Sequence, residues 1–178
     1  MSYQVIDNLI GRSALESIQG VMLGADFPWY LHHKVKKDLH LESSRELYNF
    51  QFIHNFYSNH APSSQYAEIL NPILEAIDPA AIIRIKANLT PATPDIIEYG
   101  MHTDYGLGGT TNHSGKSAVF YLNNNNGYTL FEDGTRVESV AGRLLVFDPH
   151  MAHTGSSSTD TKNRVVINFN YFEWNKKP

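Results

Sequence analysis

The chain has 178 residues, 42% of them hydrophobic, a net charge of −4 and no cysteine. That length supports one sizeable core, and the lack of cysteine excludes a disulfide framework or a thiolate zinc site. The acidic balance, with no basic cluster beyond Lys34-Val-Lys-Lys37, disfavours nucleic acid as an electrostatically held partner. No apolar run approaches membrane-spanning length, and the N-terminus lacks the basic-then-apolar pattern of a signal peptide. The expectation is a single cytoplasmic domain over residues 1–178, with no membrane partner.

Residues 1–80 are read as a mainly helical support region. Gly11 to Leu23 predicts a helix ending at Gly24, and Ser43 to Asn49 a short one. Ser63 to Ile77 gives the clearest signal: Tyr66, Ile69, Leu70, Ile73, Leu74 and Ile77 recur at helical spacing and form one apolar stripe. Ser63 or Ser64 is a candidate cap, and Pro72 predicts a kink or a restart at Asn71.

From 81 to 172 the signals are short strands separated by turn chemistry. The strand candidates are 81–89, 96–102, 117–122, 128–132, 136–140, 143–147 and 164–172. Between them lie Thr90-Pro-Ala-Thr-Pro94, Gly106-Leu-Gly-Gly109, Asp133-Gly134, Ala141-Gly142 and Asn123-Asn-Asn-Asn-Gly127, the last read as a hairpin loop. The economical architecture is mainly β: an antiparallel double sheet or jelly roll backed by N-terminal helices.

The last strand carries a test of that arrangement. Alternation puts Val165, Ile167, Phe169 and Tyr171 on one face, and Arg164, Val166, Asn168 and Asn170 on the other. An arginine and two amides are costly in a closed core, so the second face must line a polar cavity. By the same logic Ser117, Val119 and Tyr121 share one face of their strand, opposite Ala118, Phe120 and Leu122.

Four residues carry the chemistry. His102 and Asp104 stand as His-x-Asp in Tyr99-Gly-Met-His-Thr-Asp104, His153 follows Asp104 by 49 residues, and Arg164 follows His153 by 11. Two imidazoles and one carboxylate on one face of a metal leave three positions open, the arrangement of non-heme Fe(II) oxygenases. A buried arginine beyond them suits the far carboxylate of a dicarboxylic co-substrate. His-x-Asp alone would more often be two ordinary side chains, and nine histidines raise that chance; the spaced His153 and Arg164 reverse the odds. His150 is the rival of His153, disfavoured by its spacing to Arg164. His113 is read as a solvated loop histidine, and His32, His33, His54 and His60 as surface or packing residues. A zinc hydrolase would use the same ligand types but gives Arg164 no task.

This pattern resembles the 2-oxoglutarate/Fe(II) dioxygenase superfamily, and within it the prolyl-4-hydroxylase-like branch. The likeness covers residues 80 to 172. It rests on His102-Thr-Asp104, Ser117-Ala-Val-Phe-Tyr-Leu-Asn123, Asn126-Gly-Tyr-Thr-Leu-Phe131, Gly142-Arg-Leu-Leu-Val-Phe147, His153 and Arg164. Asp26-Phe-Pro-Trp-Tyr30 is similar to an early segment of related proteins. The resemblance implies a double-stranded β-helix core over 81–172, with Fe(II) on His102, Asp104 and His153. It implies 2-oxoglutarate on Arg164, with Tyr121 donating to the same carboxylate and Asn88 toward the inner end. Tyr99 and Asn170 would face the substrate. Val166 stands where some members have a hydroxyl residue, and Asn170 where relatives can have an aromatic, so the substrate is left open between a peptidyl side chain and a small metabolite.

The implied reaction is hydroxylation of a C–H bond with O2, releasing succinate and CO2, with ascorbate as an accessory reductant. Asp104 occupies the position that halogenating relatives leave empty, which favours hydroxylation. The Gly106–Gly109 and Gly155–Ser158 loops are expected to be mobile rims. The reading of another class is a cupin-like module that binds a metal or small molecule without turnover.

Overall fold

The computed structural model describes residues 3–35, 45–104 and 115–174. Its elements in chain order are β1 (Tyr3–Ile6), α1 (Arg12–Met22), β2 (Tyr30–His32), a 3-10 turn (Glu46–Tyr48), β3 (Gln51–Ser58) and β4 (Ala61–Pro62). A second 3-10 turn (Ala67–Leu70) leads into α2 (Asn71–Ile77), followed by β5 (Ala81–Pro91), β6 (Gly115–Tyr121), β7 (Tyr128–Phe131) and β8 (Arg136–Glu138). β9 (Leu144–Phe147), β10 (His153–Gly155) and β11 (Asn163–Phe172) complete the chain. No helix of the described residues is long and apolar enough to cross a membrane.

The strands form two antiparallel sheets. The larger runs β1-β9-β6-β11-β5-β3-β2, with β4 added to β3, and the smaller runs β10-β7-β8. β11 is central because both its neighbours pair along most of its length, β5 from Ala81 to Pro91 and β6 from Gly115 to Tyr121. This is the jelly-roll arrangement expected from the sequence, two facing sheets with helices on the outside of one.

Each side of the large sheet has its own core. Val165, Ile167, Phe169 and Tyr171 of β11, with Ala118, Phe120 and Leu122, pack against Ile18 and Met22 of α1 and against Leu70 and Ile73. Between the sheets, Val119, Tyr121 and Val166 meet Phe131, Val137, Leu145, Phe147 and Met151. The alternation read along β11 and β6 is therefore the alternation observed. Phe27, from the Asp26-to-Tyr30 segment, makes edge-on and tilted ring contacts with Trp29, His54, Phe56 and Tyr66 and anchors the N-terminal region to β3.

Several expectations are corrected. The region before residue 80 is not mainly helical, since it supplies β1, β2, β3 and β4 as well as α1 and α2. β3 mixes polar and apolar residues on both faces because its own burial pattern alternates irregularly, which hides its strand period. The stretch from 63 to 77 is split where Pro72 demanded: a 3-10 turn ends at Leu70 and α2 restarts at Asn71 with the proline in its first turn. Residues 96–102 form no strand. Their strand pairing among the described residues is limited to the bridges Glu98–Ser156 and His102–His153, and Gly100 takes φ +80° and turns the chain between them. Asn123 to Gly127 is a crossover between the two sheets instead of a hairpin, since β6 and β7 belong to different sheets.

Candidate active site

The candidate metal ligands come together where two bridge segments meet. His102 and His153 exchange both backbone hydrogen bonds, each N–H donating to the other's carbonyl at 2.9 Å. Asp104 N–H donates to Pro149 carbonyl at 2.9 Å, which folds the His-x-Asp segment onto the strand end preceding β10. Ligand-capable atoms of His102, Asp104 and His153 lie within 4.8 Å of one another, close enough for one ion. His102 is exposed, Asp104 half-buried and His153 buried, so the site opens to solvent on one side. β10, which carries His153, is only three residues long and had no signal of its own in the sequence.

The neighbours of these side chains orient them. His153 Nδ1 lies 3.0 Å from Met151 carbonyl, and only a protonated Nδ1 can bond there, so Nε2 keeps a free lone pair. Asp104 Oδ2 accepts from Ser117 Oγ at 2.7 Å and from Asn170 Nδ2 at 3.1 Å. Asn170 is itself held by Arg84, whose Nε donates to its Oδ1 at 3.2 Å. Burial alone would raise the Asp104 pKa, but His153, the Ser117 hydrogen bond, Arg84 and His102 outweigh it and hold the carboxyl below its ordinary range. The donor set is one neutral-capable imidazole with a fixed tautomer, a second imidazole and an ionised carboxylate, which suits a divalent first-row metal. His150 stands outside this group, its Nδ1 2.8 Å from Asp148 Oδ1.

A cavity of about 110 Å³ extends from the metal set into the space between the sheets. At its inner end Arg164 is 4% exposed, and no carboxylate of the described residues pairs with it. Its Nε donates to Ser139 Oγ at 2.9 Å, and its Nη2 reaches Thr129 Oγ1 at a long 3.5 Å. Burial pulls its pKa down, against Tyr121 and Tyr99. Two glycines make room for it. A Cβ on Gly127 would stand 2.6 Å from Arg164 Cδ, and one on Gly155 would stand 3.5 Å from Nη1.

The other expected residues are distributed around this cavity. Tyr121 is fully buried on the same side of the sheet, its hydroxyl donating to Thr129 Oγ1 at 2.8 Å and its ring centroid 5.7 Å from the Arg164 guanidinium carbon. Burial raises its pKa, so it stays a neutral donor. Asn88 lines the cavity opposite Val166, and its buried Oδ1 has no hydrogen-bond partner among the described residues. Tyr99 also lines the cavity, and burial pushes its hydroxyl up to about 12. Asn170 is the exception: read as facing substrate, it is 3% exposed with its amide committed to Asp104, Ser117 and Arg84.

The sequence reading missed Ser117, Thr129, Ser139, Gly127, Arg84 and Lys86. The last two had a signal. Arg84 and Lys86 alternate with Ile83 and Ile85 in a strand of the core, and charge at alternate positions of a buried strand calls for a polar cavity. The expected rim at Gly155–Ser158 is not loose: Ser156, Ser157 and Ser158 are buried and bonded to Tyr128, Ile97 and Thr93. The other expected rim, Gly106–Gly109, and His113 lie outside the described residues.

No family model and no curated protein matches the sequence. Solved structures do match the fold. The chain is similar to a prolyl hydroxylase from Trichoplax adhaerens, solved with a hypoxia inducible factor peptide, at TM-score 0.63 and 14% identity, over 96% of this chain and 83% of that one. It is similar to a 2OG-Fe(II) oxygenase family oxidoreductase from Burkholderia pseudomallei at TM-score 0.63 and 14% identity, over 96% and 84%. The α-ketoglutarate-dependent epimerase SnoN of nogalamycin biosynthesis matches at TM-score 0.66 and 10% identity, over 96% and 78%. The fold is that of the 2-oxoglutarate/Fe(II) oxygenases. Because a hydroxylase and an epimerase share it, the reaction has to be argued from the site.

Proposed function

We propose that the protein is an Fe(II)- and 2-oxoglutarate-dependent oxygenase that hydroxylates a C–H bond of a small molecule or a peptidyl side chain. The observation that carries this reading is Arg164: a buried guanidinium without an acid among the described residues, at the far end of a cavity whose mouth holds two histidines and a carboxylate. A buried cation without a partner is costly, and a dianionic co-substrate supplies the missing charge. The orphaned Asn88 Oδ1 on the same wall fits a cavity completed by a ligand.

His102, Asp104 and His153 would hold the ion, with Met151 carbonyl and the Ser117–Asn170 pair fixing the orientation of His153 and Asp104. Arg164 would take the distal carboxylate of 2-oxoglutarate, aligned by Ser139 and assisted by the neutral hydroxyls of Thr129 and Tyr121. Tyr99 and Val119 would close the cavity side of the bound co-substrate and exclude water. When bound, iron with 2-oxoglutarate and O2 supplies the oxidising power, yielding succinate and CO2, with ascorbate keeping the metal reduced. The cysteine-free chain suits a reducing cytoplasm, where Fe(II) is available.

A module that held only a metal would leave Arg164 and Asn88 without a purpose. The test is 14C-labelled CO2 release from 2-oxoglutarate labelled at C1, with Fe(II), O2 and ascorbate. Release that requires iron and is lost in Asp104→Ala supports the proposal. Release equal to the metal-free blank, in protein that binds iron, would instead favour the binding module.

A further inference from the structure

We propose that the substrate of this site is an anion, a carboxylate or phosphate monoester, held at the metal end of the cavity by Lys86 and Arg84. The inference rests on the oxygenase reading above, which assigns the other end to 2-oxoglutarate. β5 presents Arg84, Lys86, Asn88 and Thr90 to the cavity, and β11 pairs them with Asn170, Asn168, Val166 and Arg164. Arg164 therefore sits beside Thr90, while Lys86 is four residues and Arg84 six residues further along. At ~3.3 Å per residue this is roughly 13 and 20 Å between backbone positions. The cavity has two cationic regions, one at each end.

The charges do not balance without a second anion. Among the described residues the lining holds three cationic side chains, Arg84, Lys86 and Arg164, against one carboxylate, Asp104. A divalent ion and a dianionic co-substrate cancel each other, so the surplus positive charge is unchanged when both are bound. Both carboxylates of 2-oxoglutarate are then in use, at the metal and at Arg164. Arg84 spends its Nε on Asn170, but the Lys86 amine has no hydrogen bond or ion pair to a described residue. A substrate anion beside it would reduce the surplus and place the adjoining C–H bonds near the candidate metal ligands, since Arg84 and Asp104 are bridged by the Asn170 amide and Lys86 lines the same cavity. Fixed cations positioned in a partly enclosed cleft favour an anion over its neutral analogue.

The test uses full-length protein loaded with Fe(II) under nitrogen. Calorimetry first measures 2-oxoglutarate binding, which reports on the oxygenase reading alone. With 2-oxoglutarate saturating, N-acetyl-L-proline, N-acetyl-L-leucine and phenyl phosphate are titrated, each beside its uncharged analogue, the two amides and phenol. At least one anion should bind tighter than about 1 mM and about tenfold tighter than its neutral analogue. Lys86→Met should remove that preference and Lys86→Arg restore it, while 2-oxoglutarate affinity changes much less. The carboxylate and phosphate arms separate the two sources of the anion. Normal 2-oxoglutarate binding with no anion preferred over its neutral analogue, or with the preference intact in Lys86→Met, overturns the inference and leaves the oxygenase reading standing. Failure of 2-oxoglutarate to bind would sink that reading, and anion binding would then be judged by its Lys86 dependence alone.

Discussion

Strand β11 turns Val165, Ile167, Phe169 and Tyr171 toward α1 and α2, and Arg164, Val166 and Asn168 toward the cavity, with Asn170 on that same face bonded to Asp104, and its two sides are stabilised by opposite means. The first side gains free energy from apolar area removed from water and from close packing. The second spends it, because a buried guanidinium and two amides must be desolvated before any ligand arrives. The apolar side thus provides the rigidity that lets the other hold Arg164 and Asn170 in fixed positions. A fold built this way should lose stability when the first face is cut, and lose binding, with little stability, when the second is cut.

The largest effect is expected on the apolar side. Phe169→Ala should lower unfolding stability by about 3–5 kcal/mol, measured by denaturant titration of the metal-free protein. Arg164→Met should reverse that pattern: 2-oxoglutarate binding weakens by about 2–5 kcal/mol, yet metal-free stability holds or rises because an uncompensated buried charge has gone. A Phe169-sized loss of stability in Arg164→Met would break the contrast between the faces. Ser117→Ala and Asn170→Ala should each cost about 10–100-fold in metal affinity, as loss of a bond to a ligating carboxylate does, and metal titration with a chelator competitor measures it. Should Asn170→Ala leave metal affinity unchanged, its placement beside Asp104 has no functional weight.

The smallest effect concerns His54, on the apolar side of β3. Its Nδ1 lies 2.8 Å from Pro28 carbonyl and its Nε2 2.7 Å from Ser64 Oγ, an arrangement the neutral ring satisfies with Nδ1 donating and Ser64 donating to Nε2. Burial lowers its pKa below the ordinary 6.5, against the Pro28 hydrogen bond. The unfolded chain then binds the proton more readily, so this contribution is complete above pH 6.5 and is lost as pH falls toward the folded-state value. Thermal unfolding followed from pH 7 downward should fall more steeply in the wild type than in His54→Gln.

How much of this was legible in the sequence differs between the same two sides. Period-2 alternation in β6 and β11 revealed both faces, because strong apolar residues mark one of them throughout. The grouping of His102, Asp104 and His153 was legible because His-x-Asp stood together with a distant histidine and an arginine, and the fold brings their ligand-capable atoms within 4.8 Å of one another. What stayed hidden was held in place by tertiary contact. β10 is three residues long, and the bridge from His102 to His153 depends on Gly100 turning the chain. Asn170 looked like a substrate contact because alternation gives a face but not a partner, and its partner Asp104 lies 66 residues away. Ser117, Thr129 and Ser139 are common residue types whose task exists only beside Asp104 or Arg164.

One linkage is decisive: the candidate metal ligands and Arg164 must act as two ends of one binding site. Calorimetric titration of 2-oxoglutarate into wild type and Arg164→Met, each with and without Fe(II) under nitrogen, measures it directly. The expected result is tight binding only in the iron-loaded wild type, with Arg164→Met still binding iron but weakened toward 2-oxoglutarate by about a hundredfold. Binding of 2-oxoglutarate that is indifferent to iron, or indifferent to Arg164→Met, would contradict it.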